Sequence, residues 1–387
     1  MKEFEAAVVS CREAENGGYV VVLDQTAFYP EGGGQPCDLG ILEAENAVHV
    51  TDVQEGGEGQ ESDREVLHFC DGPLEPGTRV RGAIDWQRRI THMRDHSGEH
   101  IISGIICKTY GCSNVGFHMG KDAVTIDFSK LLTPEEICRA EKAANLKIME
   151  NVEILAQYPS EEELKALDYR SKKELTGDIR IVTVPGADCC ACCGTHVKYT
   201  GEIGPVKVIG SEHFKNGVRL QILIGEKALV DYAQKSENVQ KISTLLSVKN
   251  ENTAEAVDKL LESMNVLRME LGALKMQLLE QKVEAVAAGA QKVVLFEQGL
   301  STVDVRRLAD KLQEKAAFSA VFNGDDSEGY KYVIISKGMD VAAFGKDFNR
   351  ALNGRGGGRN PMIQGSVAAG RSEIEAYLES VDSLLDE

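Results

Sequence analysis

Two short stretches carry side chains that could do chemistry together. His96 and His100 are four residues apart in Arg94-Asp95-His96-Ser97-Gly98-Glu99-His100. On a helix that spacing puts both imidazoles on one face, about one turn apart. Trp86, Ile90, Met93, Ile101, Ile105 and Ile106 supply apolar positions at three- and four-residue intervals around them and predict that helix. Downstream, Cys192 and His196 are again four residues apart, in Cys192-Cys193-Gly194-Thr195-His196. Three imidazoles and one thiolate make a zinc-type donor set. Cys189, Cys190 and Cys193 crowd the same turn as alternative thiolates, and the four-residue match to His196 favours Cys192. His92, one turn before His96, is a poorer ligand candidate. One thiolate among several imidazoles fits catalysis or substrate positioning better than a four-cysteine structural knot. A metallopeptidase is disfavoured, because no Glu follows His96 in a His-Glu-Xaa-Xaa-His pattern; Glu99 precedes His100 instead. No Ser-His-Asp arrangement or cysteine nucleophile stands out.

The elements that must position these residues read as α+β, with strands flanking isolated helices. Residues 1–82 read as a small β-rich domain, with a buried-strand run at 19–23 followed by the loop carrying Gly32-Gly33-Gly34-Gln35. Three glycines in a row make the backbone turn sharply or approach something closely. No Gly-Lys-Ser/Thr follows, so this is not a P-loop. Residues 83–225 hold both metal stretches. A strand is predicted at 124–128, and Thr133, Pro134 and Glu136 read as the capping box of a helix. Further strands are predicted at 152–158 and 179–184 around a short capped helix at 160–167. A hairpin is expected around Lys215-Asn216-Gly217.

Residues 226–290 are rich in helix formers. Leu260, Met264, Leu267, Leu271, Leu274 and Leu278 form a seam of about three heptads. The seam could close on Ile242, Leu245 and Leu246 or on a second chain, and a homodimer through this spacer or the C-terminal domain is the favoured expectation. Residues 291–387 alternate β and α. They contain a loop expected at 354–365, in which Arg355 and Arg359 flank Gly356, Gly357 and Gly358.

The 387-residue chain carries a net charge of −18, which argues against indiscriminate polyanion binding. Charge is uneven, however. Between residues 331 and 371 seven basic side chains face two acidic ones, and guanidinium groups on a glycine backbone suit a phosphate chain. No stretch approaches the roughly 18 apolar residues of a membrane helix. Ten cysteines, with no apolar export signal after Met1, predict reduced thiols in the cytoplasm.

Four segments in order resemble alanyl-tRNA synthetase from its editing domain onward: residues 23–40, the His96/His100 helix, the 192–197 turn and the 354–365 loop. The resemblance runs through a helical spacer into a C-terminal domain of the DHHA1 type and covers nearly the whole chain. It does not extend to the ATP-using aminoacylation core, for which no room is expected ahead of Leu23. The chain thus resembles the long free-standing AlaX group of trans-editing proteins. The resemblance implies zinc held by His96, His100, Cys192 and His196, and hydrolysis of the ester that joins serine, or glycine, to the 3′ ribose of tRNA(Ala). It also implies serine recognition by Thr26; Gln35, beside the glycines, is a weaker pocket candidate, and the local positive charge makes Arg355, Arg359 and Gly356 to Gly358 the expected tRNA contact. Cys193 stands where the family turn commonly has glycine. The alternative is a non-catalytic tRNA-binding protein with a structural zinc.

Overall fold

The computed structural model describes residues 1–15, 17–56, 65–171 and 178–379. The chain forms two compact units, Met1–Ile242 and Ser243–Glu387.

The first unit opens with six strands: β1 (Glu3–Glu13), β2 (Tyr19–Leu23), β3 (Gly40–Glu43), β4 (Ala47–Gly56), β5 (Glu65–Cys70) and β6 (Arg79–Ile84). They close into a barrel in the order β1-β2-β5-β4-β3-β6. Closure pairs every edge, and Val8, Val21, Leu42, Val50, Val53 and Val80 fill the interior. The β-rich reading of residues 1–82 thereby takes the form of a barrel.

Between β2 and β3 the chain leaves the barrel and runs along helix α1 (Trp86–Tyr110). The buried Asp38 carboxylate holds it there. Asp38 accepts from Tyr29 N at 2.7 Å, and from Arg89 Nε and Nη2 on α1. Removing one partner of such a buried pair costs about 3–5 kcal/mol. Gly33 and Gly34 take φ of 61° and 87°, while Gly32 and Gln35 exchange backbone hydrogen bonds around them. Left-handed backbone at both central positions is what a tight two-residue turn requires. The glycines therefore turn the chain, and the turn delivers Gln35.

Helix α1 starts on the Asp85 carboxylate, which accepts from Arg88 N, and ends at Gly111 in the left-handed conformation. All of residues 95–104 are buried, including polar ones, because other elements pack around the helix. The chain continues through β7 (Asn114–Met119), β8 (Val124–Phe128), α2 (Pro134–Met149), β9 (Leu155–Gln157), α3 (Glu161–Ala166), β10 (Ile181–Val184), β11 (Asp188–Ala191), β12 (Val206–Phe214) and β13 (Gly217–Ile224), of which β7, β8, α2, β11 and β13 pack against α1. They form an antiparallel sheet ordered β12-β13-β8-β7 and a smaller one ordered β11-β10-β9. Ile101, Ile102 and Ile106 of α1 join Ile126, Phe128, Val182, Leu220 and Ile222 in one core. The capping box at Thr133 and Glu136 is present, and the β12–β13 hairpin turns at Lys215, φ 53°. Strands β7 and β11 had no clear sequence signal, being short and carrying glycine or cysteine.

Helix α4 (Glu226–Leu246) follows, then α5 (Thr253–Glu284), β14 (Ala290–Glu297), α6 (Thr302–Gln313), β15 (Ala316–Asp325), β16 (Gly329–Ser336), α7 (Val341–Ala351), β17 (Gly354–Arg359), β18 (Met362–Val367) and α8 (Arg371–Glu379). In the second unit a five-stranded sheet is ordered β14-β15-β16-β18-β17, with only β14 and β15 parallel. Leu279 and Val283 of α5 pack with α6 against Val321, Val333 and Ile335. On the opposite face α7 and α8 cover Phe322, Tyr332 and Ile363. The heptad residues Leu260 to Leu278 are exposed, from 38% at Met264 to 63% at Leu267.

One expectation is corrected here. Residues 354–365 form no loop: β17 and β18 pair as a hairpin, with Arg355 opposite Ser366 and Arg359 opposite Met362. Gly354, Gly356 and Gly358 serve close packing, whereas Gly357 faces open space. A Cβ on Gly356 would lie 2.5 Å from Gly365 Cα and 2.7 Å from Tyr332 Oη, so only glycine lets the edge strand settle over that ring.

Candidate metal centre

Three imidazoles and one thiol meet beside α1. The ligand atoms of His96, His100, Cys192 and His196 all lie within 4.8 Å of one another. Cys192 Sγ is 3.4 Å from His96 Nε2 and 3.5 Å from His196 Nε2. Bond lengths of about 2.0–2.3 Å in a tetrahedral zinc site imply ligand-to-ligand edges of roughly 3.3–3.8 Å, so the donor set fits that ion.

Each imidazole is held by its other nitrogen. His96 Nδ1 donates to Gln35 Oε1 at 2.9 Å, His100 Nδ1 pairs with Asp188 Oδ2 at 2.8 Å, and His196 Nδ1 lies 3.0 Å from Ser97 Oγ. Nε2 is thereby turned toward the shared centre, as metal-binding histidines require. These partners are themselves tied. Gln35 Oε1 also accepts from Thr195 N at 3.1 Å, and its Nε2 donates to Thr195 Oγ1 at 2.8 Å. Asp188 takes two hydrogen bonds from Arg170, at 2.6 and 2.7 Å. Ser97 Oγ accepts from Val197 N.

The protonation pattern of the cluster is mixed: burial lowers His100, but its bonds to Asp188 and Cys192 carry it up to about 10. Burial raises the Cys192 thiol, but the charge and hydrogen bonds of His96, His100 and His196 carry it far below its ordinary value. Burial raises Asp188 too, yet Arg170 and His100 bring it down to about 2. Burial pulls His196 down to about 3, which leaves its ring neutral, the ligating form.

The Cys192–His196 spacing has a different origin from that of the histidine pair. His96 and His100 are successive turns of α1, whereas 192–196 is irregular backbone after β11. There the chain folds back at Gly194, whose N–H points to Cys192 Sγ at 3.3 Å. A Cβ on Gly194 would lie 2.0 Å from His96 Cε1. Arg180 Nη1 clamps the turn by donating to Cys192 O and Gly194 O. Cys193 is exposed, and Cys192 is the thiol brought to the imidazoles.

Beside the cluster is a cavity of about 740 Å³, lined among others by Tyr29, Gly32 to Gly34, Glu55, Glu99, Phe117 and Arg170. Gln35 abuts the ligands rather than the cavity. Thr26 is not in this lining; its Oγ1 lies 2.9 Å from His68 Nε2 and accepts from Phe28 N at 3.1 Å. Arg355, Arg359 and Gly356 to Gly358 lie on edge strand β17 of the second unit, with both arginines exposed. Sequence reasoning missed Asp188, Arg170 and Ser97. Only Ser97, between the two histidines, had a positional hint.

Three family models match the chain. Residues 2–88 match tRNA synthetases class II (A), and residues 179–221 match the threonyl and alanyl tRNA synthetase second additional domain. Residues 289–387 match the DHHA1 domain. The alanine–tRNA ligase of Pyrococcus abyssi is 32% identical over 100% of this chain, which spans only 42% of that ligase. Alanyl-tRNA editing protein Aarsd1-B of Xenopus laevis is 30% identical over 99% of the chain and 96% of its own length. Its counterpart Aarsd1 of Rattus norvegicus is 27% identical over 98% and 95%.

Proposed function

The chain belongs to the alanyl-tRNA editing protein family, and from that premise we propose that it is a zinc-dependent aminoacyl-tRNA deacylase. It would hydrolyse the ester of Ser-tRNA(Ala), with Gly-tRNA(Ala) the second candidate substrate. The observation that carries the reading is the juxtaposition of the four-donor cluster with a cavity. His96, His100, Cys192 and His196 would hold the zinc. The bound ion would polarise the ester carbonyl or lower the pKa of a water.

The chain's own groups do the rest. Gln35, Asp188 and Ser97 orient the three rings. Arg170 keeps Asp188 ionised, and Arg180 with Gly194 shapes the thiolate turn. Residues 32–34 and Phe117 wall the cavity, so an esterified ribose would lie against glycine backbone on one side. Arg355 and Arg359 on β17 would meet phosphates of the tRNA body. The exposed α5 seam would pair two chains.

The test is release of serine from Ser-tRNA(Ala) by purified protein, with and without a chelator. Serine release abolished by chelation and restored by zinc supports the reading. No release from any mischarged tRNA, despite full zinc, would overturn it. A second reading, tRNA binding with a structural zinc, is favoured by one observation: four protein donors complete a tetrahedron, as in closed structural sites. That reading expects tRNA binding without hydrolysis.

A further inference from the structure

Two cysteines outside the metal cluster meet where α1 ends. Cys107 sits in the last turn of the helix. Gly111, left-handed and with its N–H on Cys107 O at 3.0 Å, turns the chain back so that Cys112 returns to the same turn. The two side chains hydrogen-bond each other, and Cys112 Sγ also lies 3.9 Å from Ile106 O. Both are free thiols. Sulfurs in such contact have to close to roughly 2.05 Å to form a disulfide, and the final turn of a helix is where backbone gives most easily.

The two sulfurs are unlike. Cys107 receives the hydrogen bond of Cys112, the field of the Arg170 guanidinium and a hydrogen bond from Asn114 N–H at the start of β7. Together these hold its thiol below the ordinary range, against burial and Asp188, which push the other way. Cys112 is raised by the same hydrogen bond and by burial. Thiolate character therefore concentrates on Cys107, while the proton stays on Cys112. A thiolate beside a protonated thiol is the pairing of an attacking and a resolving cysteine. Neither residue is sealed in the core. Cys107 also lines a cavity of about 440 Å³ with Lys108, Arg170 and Cys189, which gives a small oxidant a way in. Among the described residues of that lining there is none of the four metal donors.

We propose that Cys107 and Cys112 form a redox-active dithiol that reacts with hydroperoxides and closes to a disulfide, with Cys107 the nucleophile and Cys112 the resolving thiol. The Cys107 thiolate attacks one oxygen of hydrogen peroxide. An S–O bond forms, the O–O bond breaks, and hydroxide leaves and takes up a proton as water. Sulfur is oxidised to the sulfenic acid, and the peroxide is reduced. The Cys112 sulfur then attacks the sulfenic sulfur. The S–S bond forms, the S–O bond breaks, and the oxygen leaves with the Cys112 proton as a second water. Two thiols and one hydrogen peroxide thus give one disulfide and two waters. This chemistry is separate from that of the ester and does not depend on the deacylase reading.

The experiment treats the full zinc-loaded chain with one equivalent of hydrogen peroxide near neutral pH, blocks remaining thiols with iodoacetamide and digests with trypsin. Cleavage after Lys108 leaves Cys107 in peptide 95–108 and Cys112 in peptide 109–121, each with no other cysteine. A disulfide is therefore read as these two peptides joined and two hydrogens lighter than their sum. The joined pair is expected to dominate, to part on treatment with dithiothreitol, and to leave zinc content unchanged. It should form at least about 10-fold faster than the exposed Cys138 thiol is oxidised. Cys112→Ser should stop at a Cys107 sulfenic acid that dimedone traps, and Cys107→Ser should leave Cys112 unoxidised at the same dose. Recovery of both wild-type peptides as separate alkylated species would overturn the proposal, and that reading needs no variant to fold. Cys107 joined to Cys189 instead would overturn it too, as would loss of zinc without the joined pair.

Discussion

The candidate metal cluster of the first unit and the arginine-bearing edge strand of the second are held in opposite ways. Around the cluster every imidazole has its second nitrogen engaged, and the engaging groups are themselves bonded. On β17, Arg355 and Arg359 are exposed, and among the described residues neither forms an ion pair. Chemistry on an ester needs donors preset to within a fraction of an ångström. Contact with a phosphate chain needs charge, access and adaptable side chains. Damage to the cluster should therefore be abrupt and shared by metal and activity, and damage to the strand graded and salt-dependent.

The largest effect should come from the ligands. His96→Ala or His196→Ala is expected to empty the site and lower serine release by at least about 10³-fold. Elemental analysis showing full zinc in both would break the assignment. Cys193→Ser should leave zinc content unchanged while Cys192→Ser lowers it. A step smaller, Gln35→Ala and Asp188→Asn should each weaken zinc affinity by about 10- to 100-fold through loss of ring orientation, read by competition with a calibrated chelator. Undiminished zinc affinity with lost activity would instead make Gln35 a substrate contact.

The strand should behave differently. Arg355→Ala combined with Arg359→Ala is expected to raise KM for mischarged tRNA by roughly 10-fold, flatten the salt slope by about one to two, and leave kcat unchanged. A fall in kcat at constant KM would contradict a tRNA-body role. Thr26→Val decides between two settings for one hydroxyl. With the hydroxyl engaged by His68 and Phe28 N, the expected outcome is a loss of about 1 kcal/mol of stability and an unchanged Ser-to-Ala ratio of kcat/KM. A ratio that shrinks 10-fold would put the hydroxyl on the serine side chain, as the family resemblance implies.

A smaller effect is a pH dependence of folding near the cluster. Burial pulls His92, one turn before His96, from its ordinary 6.5 down to about 4. Between those values the unfolded chain binds the proton and the folded chain does not, so stability falls as pH drops from 6.5 toward 4. The loss is on the order of 2 kcal/mol. His92→Gln should flatten that part of a denaturation-versus-pH curve, and an unflattened curve would assign the loss to other groups.

The ligand residues were legible because donor type and spacing are local. The reasons they meet were only half legible. His96 and His100 share a helix face, whereas Cys192 reaches His196 through a glycine turn whose shape depends on contact with α1. Asp188 was not legible, since nothing near residue 188 signals an imidazole 88 positions away. The helices with capping boxes were readable at their starts. The strand at 354–359 was not, because glycine is depleted in strands, and Gly356 sits there to approach Gly365 and Tyr332. Barrel closure is likewise a property of register between distant strands, which alternation alone does not encode.

The Gln35 bridge also bears on how the site is born. Its amide comes from a turn 61 residues before His96 and 160 before Thr195, so three separately synthesised stretches must come together to complete this bridge. A nascent chain that has made only the barrel and α1 holds two of the four donors, His96 and His100, and lacks Cys192 and His196. Contacts of such long sequence separation form late and slowly. On the proposed reading, tight metal capture and ester cleavage are therefore expected to wait until the first unit is complete, so that unfinished or truncated chains would stay hydrolytically silent.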